Sequence, residues 1–335
     1  TIGFLSRISP DARFVVTTLN EYVYVVNFKD YRFLQVFYPT EGILGFWSRK
    51  TEEIQSLPGA DDPQFVHCDP VWTPDGKTIV FARAKAVKPF SKDRPIALKP
   101  NDPNETPMQY DLYTMDFNEG KGGTPLPLKG ASNNGMSNTF PKVSPDGKWI
   151  VFVKCRNGQL MRPDSRLWII PVKGGEAREM RCNTSLMNSW HSFSPNGKWM
   201  VFSSKCNTPY TQMFLTHLDP DGTDSPPILI PDSTASNRAS NIPEFVNTAY
   251  EDFESIAVPS VDYFSDLLNG DRLVGEGKYE EALDEYRKVL KSEPDESRAA
   301  EGLGKALWLT GKAEESIAHL LDYIKKHPNL PTLHV

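Results

Sequence analysis

One tight turn, met again and again, constrains this chain more than any other feature. It stands in Trp72-Thr73-Pro74-Asp75-Gly76-Lys77-Thr78-Ile79-Val80-Phe81, again in Val143-Ser144-Pro145-Asp146-Gly147-Lys148-Trp149-Ile150-Val151-Phe152, and again in Phe193-Ser194-Pro195-Asn196-Gly197-Lys198-Trp199-Met200-Val201-Phe202. A worn copy occupies Ile8-Ser9-Pro10-Asp11-Ala12-Arg13-Phe14-Val15-Val16. Proline sets φ for the first corner, Asp or Asn bonds its own backbone, and Gly takes positive φ. The β-branched and aromatic run that follows suits a pleated strand. Each copy is a strand–turn–strand hairpin, the first weakened by Ala12 in place of Gly.

A hairpin alone cannot bury its apolar face, so repetition implies neighbours sharing a core. The prolines at Pro10, Pro74, Pro145 and Pro195 stand farther apart than the about 40–45 residues of a four-stranded propeller blade. Long connections take up the excess. The motif resembles that of TolB-like, WD-repeat-like propellers, over roughly residues 4–246. The resemblance implies a propeller fold and an extracytoplasmic, bacterial and commonly periplasmic location; it implies no activity, because the motif is structural.

Within blade one, residues 4–9 and 13–19 read as the first two strands and 43–48 and 53–57 as the last two, with 22–26 and 33–38 as extra extended segments in an interruption. Blade two takes 70–72, 78–83, 111–117 and 124–128 around a Pro-rich excursion at 84–109. Blade three takes 140–143, 149–154, 166–172 and 176–181; blade four takes 191–193, 199–203, 212–218 and 227–230. In an up-and-down blade the second-to-third-strand loops and the inter-blade loops emerge on one face. That face is elaborated while the Pro-Asp-Gly face stays minimal, and loops on a rigid scaffold are where binding concentrates.

Asn241-Ile242-Pro243-Glu244-Phe245-Val246 resembles the approach to an innermost strand at Asn138-Thr139-Phe140-Pro141-Lys142-Val143. An orphan inner strand after four blades predicts an open ring, completed by residues preceding Thr1; a closed four-bladed ring is the alternative. The first residue is Thr rather than Met, so the N-terminus reads as processed or truncated.

After an acidic stretch at 247–262 the texture turns helical. Gly277-Lys278-Tyr279-Glu280-Glu281-Ala282 and Gly311-Lys312-Ala313-Glu314-Glu315-Ser316 are offset copies, as are Gly270 and Gly304, and Leu273 and Leu307. The offset, about 34 residues, and the helix–turn–helix punctuation resemble the tetratricopeptide repeat. Pro294 and Pro328 end helices, and 329–335 would begin a further repeat or cap. The expected fold is therefore multidomain: an all-β propeller over 1–246 with four recognisable blades, N-terminally incomplete, a linker at 247–262, and an α-helical tetratricopeptide solenoid over 263–335.

Motifs for catalysis are missing: there is no Gly-x-Ser-x-Gly elbow, no phosphate-binding Gly-rich loop and no His-Glu-x-x-His. No Cys-x-x-Cys-His occurs for haem attachment, and no Cys/His spacing suits a metal. A net charge of -6 argues against nucleic acid. No apolar run is long enough to span a membrane as a helix. Of Cys68, Cys155, Cys182 and Cys206, the pair Cys182–Cys206 is the most plausible disulfide, with Cys155–Cys206 as the alternative. His67 and Asp69 in an inter-blade loop, Asn138, Trp190 and His191 at strand approaches, and Arg94 and Lys99 in the blade-two excursion are the candidate binding residues. The strand tryptophans Trp72, Trp149, Trp168 and Trp199 read as core.

The function expected is a non-enzymatic interaction scaffold outside the cytoplasm, in its more specific variant an accessory subunit of a periplasmic redox assembly, needing no cofactor. Protein partners would meet the long-loop face and the helical groove. The competing expectation is an enzyme using the propeller channel, with His67, Asp69 and His191 gathered on a small ligand or metal; a third is the propeller half of a hydrolase.

Overall fold

A computed structural model describes residues 3, 5–33, 35–88, 97–233, 239–249, 252 and 263–327. The chain divides into two compact units, Thr1–Asn247 and Thr248–Val335.

The first unit is a β-propeller of four blades, each a four-stranded antiparallel sheet whose strands follow in chain order. Blade one is β1 (Arg7–Ile8), β2 (Phe14–Asn27), β3 (Gln35–Ser48) and β4 (Glu53–Ser56). Blade two is β5 (Phe65–Trp72), β6 (Thr78–Lys85), β7 (Asp111–Asp116) and β8 (Leu126–Pro127). Blade three is β9 (Ser137–Val143), β10 (Trp149–Cys155), β11 (Arg166–Pro171) and β12 (Arg178–Glu179). Blade four is β13 (Asn188–Phe193), β14 (Trp199–Ser204), β15 (Gln212–His217) and β16 (Ile228–Leu229).

The continuous apolar runs after each turn are explained by burial on both faces of the second strand. Along β6, Ile79 and Phe81 enter a core shared with Val16, Leu44 and Phe46 of blade one. The alternating Val80 and Ala82 enter the next core, with Ile150 and Phe152 of blade three. Along β10, Val151 and Val153 then face Met200 and Phe202 of blade four. A period of two thus feeds successive seams.

The turns repeat atom for atom. Thr73 donates its hydroxyl to Asp75 at 2.7 Å and accepts the Thr78 N–H at 3.1 Å. Ser144 does the same with Asp146 and Trp149 at 2.6 and 3.0 Å, and Ser194 with Asn196 and Trp199 at 2.7 and 3.0 Å. The Ser or Thr before proline therefore closes the hairpin from inside. Each turn also packs on the one before it: a Cβ at Gly76 would lie 3.6 Å from the Pro10 ring, at Gly147 3.7 Å from Pro74, and at Gly197 3.5 Å from Pro145. Ala12 holds positive φ (56°) without being glycine.

Two expectations are corrected. Residues 22–26 and 35–38 are not separate segments; they prolong β2 and β3 into one long ribbon, while Leu34 lies outside the described residues. Register shifts after Leu19 and Tyr22 bend it, with Asn20 at φ 54° and Gly42 at φ 144°, so the turn-forming residues there mark bulges rather than ends. Residues 241–246 form no inner strand. Instead, Ser203 of β14 donates its hydroxyl to the Ser240 and Asn241 carbonyls at 3.1 and 2.7 Å, so this stretch lies as irregular chain over the polar side of blade four.

The described residues of the second unit form four helices: α1 (Tyr263–Gly275), α2 (Tyr279–Ser292), α3 (Ser297–Leu309) and α4 (Ala313–Lys326). Gly277 and Gly311 take positive φ (77° and 80°) in the turns within each helix pair. Acidic Glu280 and Glu281 open α2 and Lys291 closes it, matching the helix dipole. Tyr286 lies against both Gly270 and Gly302, where a Cβ would come within 2.8 and 2.5 Å of its ring. Pro328 and residues 329–335 lie outside the described residues, as does nearly all of 250–262.

Candidate functional site

The inner strands β5, β9 and β13 break register at matching places, each at a bulge whose residue takes positive φ: Asp69 (54°), Phe140 (50°) and Trp190 (53°). Phe140 and Trp190 meet edge-on, centroids 5.3 Å apart. Blade two puts a carboxylate where its neighbours put rings. Asp69 accepts the Phe140 N–H on Oδ2 at 3.0 Å. Burial pushes its carboxyl up to about 7; the Phe140 N–H, Arg7 and Lys142 oppose this and Glu21 adds to it.

The β2–β3 ribbon is an arm. Its Tyr24/Tyr38 side packs on blades two and three. Tyr38 donates to the Thr106 carbonyl at 3.4 Å, and Tyr110 donates to the Pro39 carbonyl. At the tip, Phe33 is buried with Trp190 and Phe202 of blade four, and Lys205 donates to the Arg32 carbonyl at 2.6 Å. The other side of the ribbon, Val23, Val25, Phe37 and Pro39, walls a cavity of about 290 Å³ with Leu5, Glu21, Gln35, Asp69 and Gln159. Gln159 is 4% exposed and its buried side-chain oxygen has no hydrogen-bond partner among the described residues.

Charges converge nearby. Lys142 pairs with Glu244 at 3.2 Å, and Ser192 donates its hydroxyl to the same carboxylate. Burial, reinforced by Arg7, lowers the Lys142 ammonium to about 8 against the pull of Glu244 and Asp69. Burial acts to raise the Glu244 carboxyl, but Lys142, Ser192 and Arg7 outweigh it and hold it below its ordinary range. The stretch that was expected to be a strand thus supplies an ion-pair partner to β9.

The enzymatic constellation is not assembled: among the described residues no hydrogen bond joins His67, Asp69 and His191. The His67 ring lies near Phe65 and Phe81, centroids 6.2 and 5.7 Å away, and the Gly42 backbone acts to hold a proton on it. Burial, with Arg83 adding, lowers its pKa to about 4. His191 Nε2 bonds the Val151 carbonyl at 2.9 Å, and burial lowers its pKa to about 3. Asn138 is buried as a loop clasp, donating to Asn134 Oδ1 at 3.0 Å and to the Tyr110 carbonyl at 3.3 Å. Trp190 is core. Lys99 is exposed, and Arg94 lies outside the described residues.

The cysteine expectation is also corrected: all four are free thiols. Cys182 is sunk in the blade three–four core while Cys206 sits at its half-buried rim. No cluster of three or more His, Cys, Asp or Glu fit to hold a metal occurs among the described residues. Nor is any described helix long and apolar enough to cross a membrane.

The elaborated face is interlocked rather than free. Arg162, in the blade-three connection, makes a bidentate pair with Glu105 of the blade-two connection, both bonds 2.7 Å, with side chains 0% and 2% exposed. It also donates to Asn101 at 2.9 Å. Arg162, Glu105, Glu21 and Gln159 carried no sequence signal of their own. Asp69 did, as a loop neighbour of His67.

The helical unit offers a second concavity, about 370 Å³, lined by Asp271 and Val274 of α1, Tyr286 of α2, and Arg298, Glu301, Gly302 and Lys305 of α3. Tyr286 donates to Asp271 at 2.8 Å, and Arg298 pairs with the other oxygen of that carboxylate.

A four-bladed propeller followed by tetratricopeptide helices is the class this architecture defines. Residues 267–331 match the tetratricopeptide repeat family. No curated protein matches the chain. Among solved structures, TolB from Acinetobacter baumannii is similar at 18% identity and TM-score 0.36, over 67% of this chain and 45% of that one. Putative TolB from Agrobacterium tumefaciens is similar at 16% and 0.37, over 66% and 80%. Prolyl oligopeptidase B from Galerina marginata is similar at 14% and 0.38, over 67% and 28%. This chain thus spans less than half of the first and third. At such identities and scores none of them says what this chain binds.

Proposed function

We propose that this protein is a non-enzymatic docking scaffold acting outside the cytoplasm, in which the helical unit captures a segment of a partner protein. The observation that carries the reading is the tetratricopeptide match over 267–331 together with the α1–α3 concavity. That concavity presents Arg298, Lys305 and Glu301 above the buried Tyr286 ring: charged groups that could fix the register of a bound segment. The extracytoplasmic location, and membership of a periplasmic assembly, rest on the resemblance of the Pro-Asp-Gly repeats to TolB-like propellers.

The test is affinity capture with the full chain from an extracytoplasmic extract, comparing the native protein with Arg298→Glu/Lys305→Glu. Loss of a stoichiometric partner on charge reversal is expected. A partner retained by that variant and lost on Lys99→Glu would move the docking site to the propeller's loop face. No stoichiometric partner for either protein would sink the reading.

A further inference from the structure

We propose that the cavity beneath the arm binds the ammonium head of a small organic amine, with Asp69 as counter-ion and the apolar side of the ribbon holding the carbon body. The proposal stands apart from the helical groove.

The walls decide the ligand class. Val23, Val25, Phe37 and Leu5 are apolar, so the ligand body is apolar too. Two buried polar side chains line the same space: Asp69, 5% exposed, and Gln159, 4% exposed. Only Oδ2 of Asp69 is engaged, by the Phe140 N–H; no hydrogen bond among the described residues reaches its other oxygen. The side-chain oxygen of Gln159 has no hydrogen-bond partner among the described residues. Buried polar groups are ordinarily satisfied, so the Gln159 oxygen, at a cavity that a carboxylate also lines, asks for a donor. Glu21, itself engaged, adds a second carboxylate, and among the described residues no Lys, Arg or His lines the space.

Other ligands fit worse. An anion would face two carboxylates. A neutral apolar molecule would leave Asp69 and Gln159 unpaired. A divalent cation of the calcium type takes about 6–8 oxygens, more than this apolar space provides. An ammonium carries three donors on a compact charge and needs only a few acceptors.

Acid should compete with the ligand. The charged groups acting on Asp69 are Glu21 of β2, Arg7 of β1 and Lys142 of β9. Burial holds the carboxyl near 7, so below that pH the amine must displace a proton. Affinity should rise by about tenfold from pH 6 to pH 8, as the ionised fraction does.

Calorimetric titration of the full chain at pH 8 with phenethylamine, and with phenethyl alcohol as the uncharged counterpart, tests this. Amine binding at least about tenfold tighter than the alcohol is expected. Asp69→Asn keeps an oxygen for the Phe140 N–H and tolerates positive φ, so it should fold and lose the preference. Glu21→Gln, read alongside it, should weaken the amine alone. Nα-acetyl-lysine amide tells the source of the ammonium: binding would assign it to a partner's side chain, and exclusion to a free amine. Equal binding of amine and alcohol, no binding of either, or an undiminished preference in folded Asp69→Asn would overturn the proposal. Arg298→Glu/Lys305→Glu should leave the titration unchanged, which separates its failure from that of the scaffold reading.

Discussion

On one face of the propeller three successive seams repeat one contact; on the other a single clasp recurs, Asn138 on the Tyr110 carbonyl and Asn188 on that of Ser165, and the remaining ties differ from seam to seam. The turn face is built from Pro10 against Gly76, Pro74 against Gly147 and Pro145 against Gly197. The loop face adds single events to its repeated clasp: an arm from blade one, a buried Arg162–Glu105 pair between blades two and three, and Lys205 on the arm's tip. Repeated contacts are each small and interchangeable. Unrepeated ones concentrate energy in a few buried groups.

The largest effect should therefore lie on the loop face. Arg162→Ala leaves Glu105 buried without its partner and should cost about 3–5 kcal/mol in urea unfolding. Replacing both by apolar residues of similar size should recover most of that loss. If the single change costs no more than a turn variant, the contrast between the faces fails.

Next comes pH. His67 and His191 are held neutral by burial, with folded pKa values of about 4 and 3 against an ordinary 6.5. The unfolded chain binds those protons first, so their contribution is present above 6.5 and lost as pH falls toward 4. Asp69 has the opposite sign: raised from 3.8 to about 7, it favours the folded state at low pH and loses that contribution as pH rises from 4 to 7. Acid unfolding followed by tryptophan fluorescence should steepen in Asp69→Asn and flatten in His67→Phe. Unchanged profiles would mean these groups titrate as though exposed.

Turn-face changes should be smaller. Gly147→Ala forces a side chain to φ 70° and should cost about 1–2 kcal/mol. Ala12→Gly relieves a similar strain and should gain about 0.5–1 kcal/mol, since glycine also enlarges the unfolded ensemble. Differential scanning calorimetry on the pair checks both signs. The smallest effect is expected for Arg13→Ala. Its pairs with Asp11 and Glu119 are solvent-exposed, and its removal should leave the melting temperature unchanged.

The same contrast explains what could be read from the chain. Four blades were legible because Ser/Thr-Pro-Asp-Gly recurs, although the hydroxyl's part in closing the hairpin was not evident until its bonds to Asp75, Asp146 and Asn196 were seen. The arm was misread because Asn20 and Gly42 look like breakers, whereas in a ladder they bend strands without ending them. Residues 241–246 were misread because a local likeness to Asn138–Val143 says nothing about whether a pairing partner is at hand. Asp69 was legible only as a loop neighbour of His67, not as the counterpart of Phe140 and Trp190; Glu21 and Gln159 join it only through the arm's path, which no short-range spacing records.

That path has a consequence for how the molecule comes together. Neighbouring hairpins can collapse as each is made, since their contacts are close in sequence. The arm's tip cannot dock until residues 173 positions later, at Lys205, are in place. Chains dominated by such distant closures fold slowly. The strap is therefore set to be a late event that turns separately nucleating blades into one cooperative body, and shortening its tip should divide a single melting transition into steps.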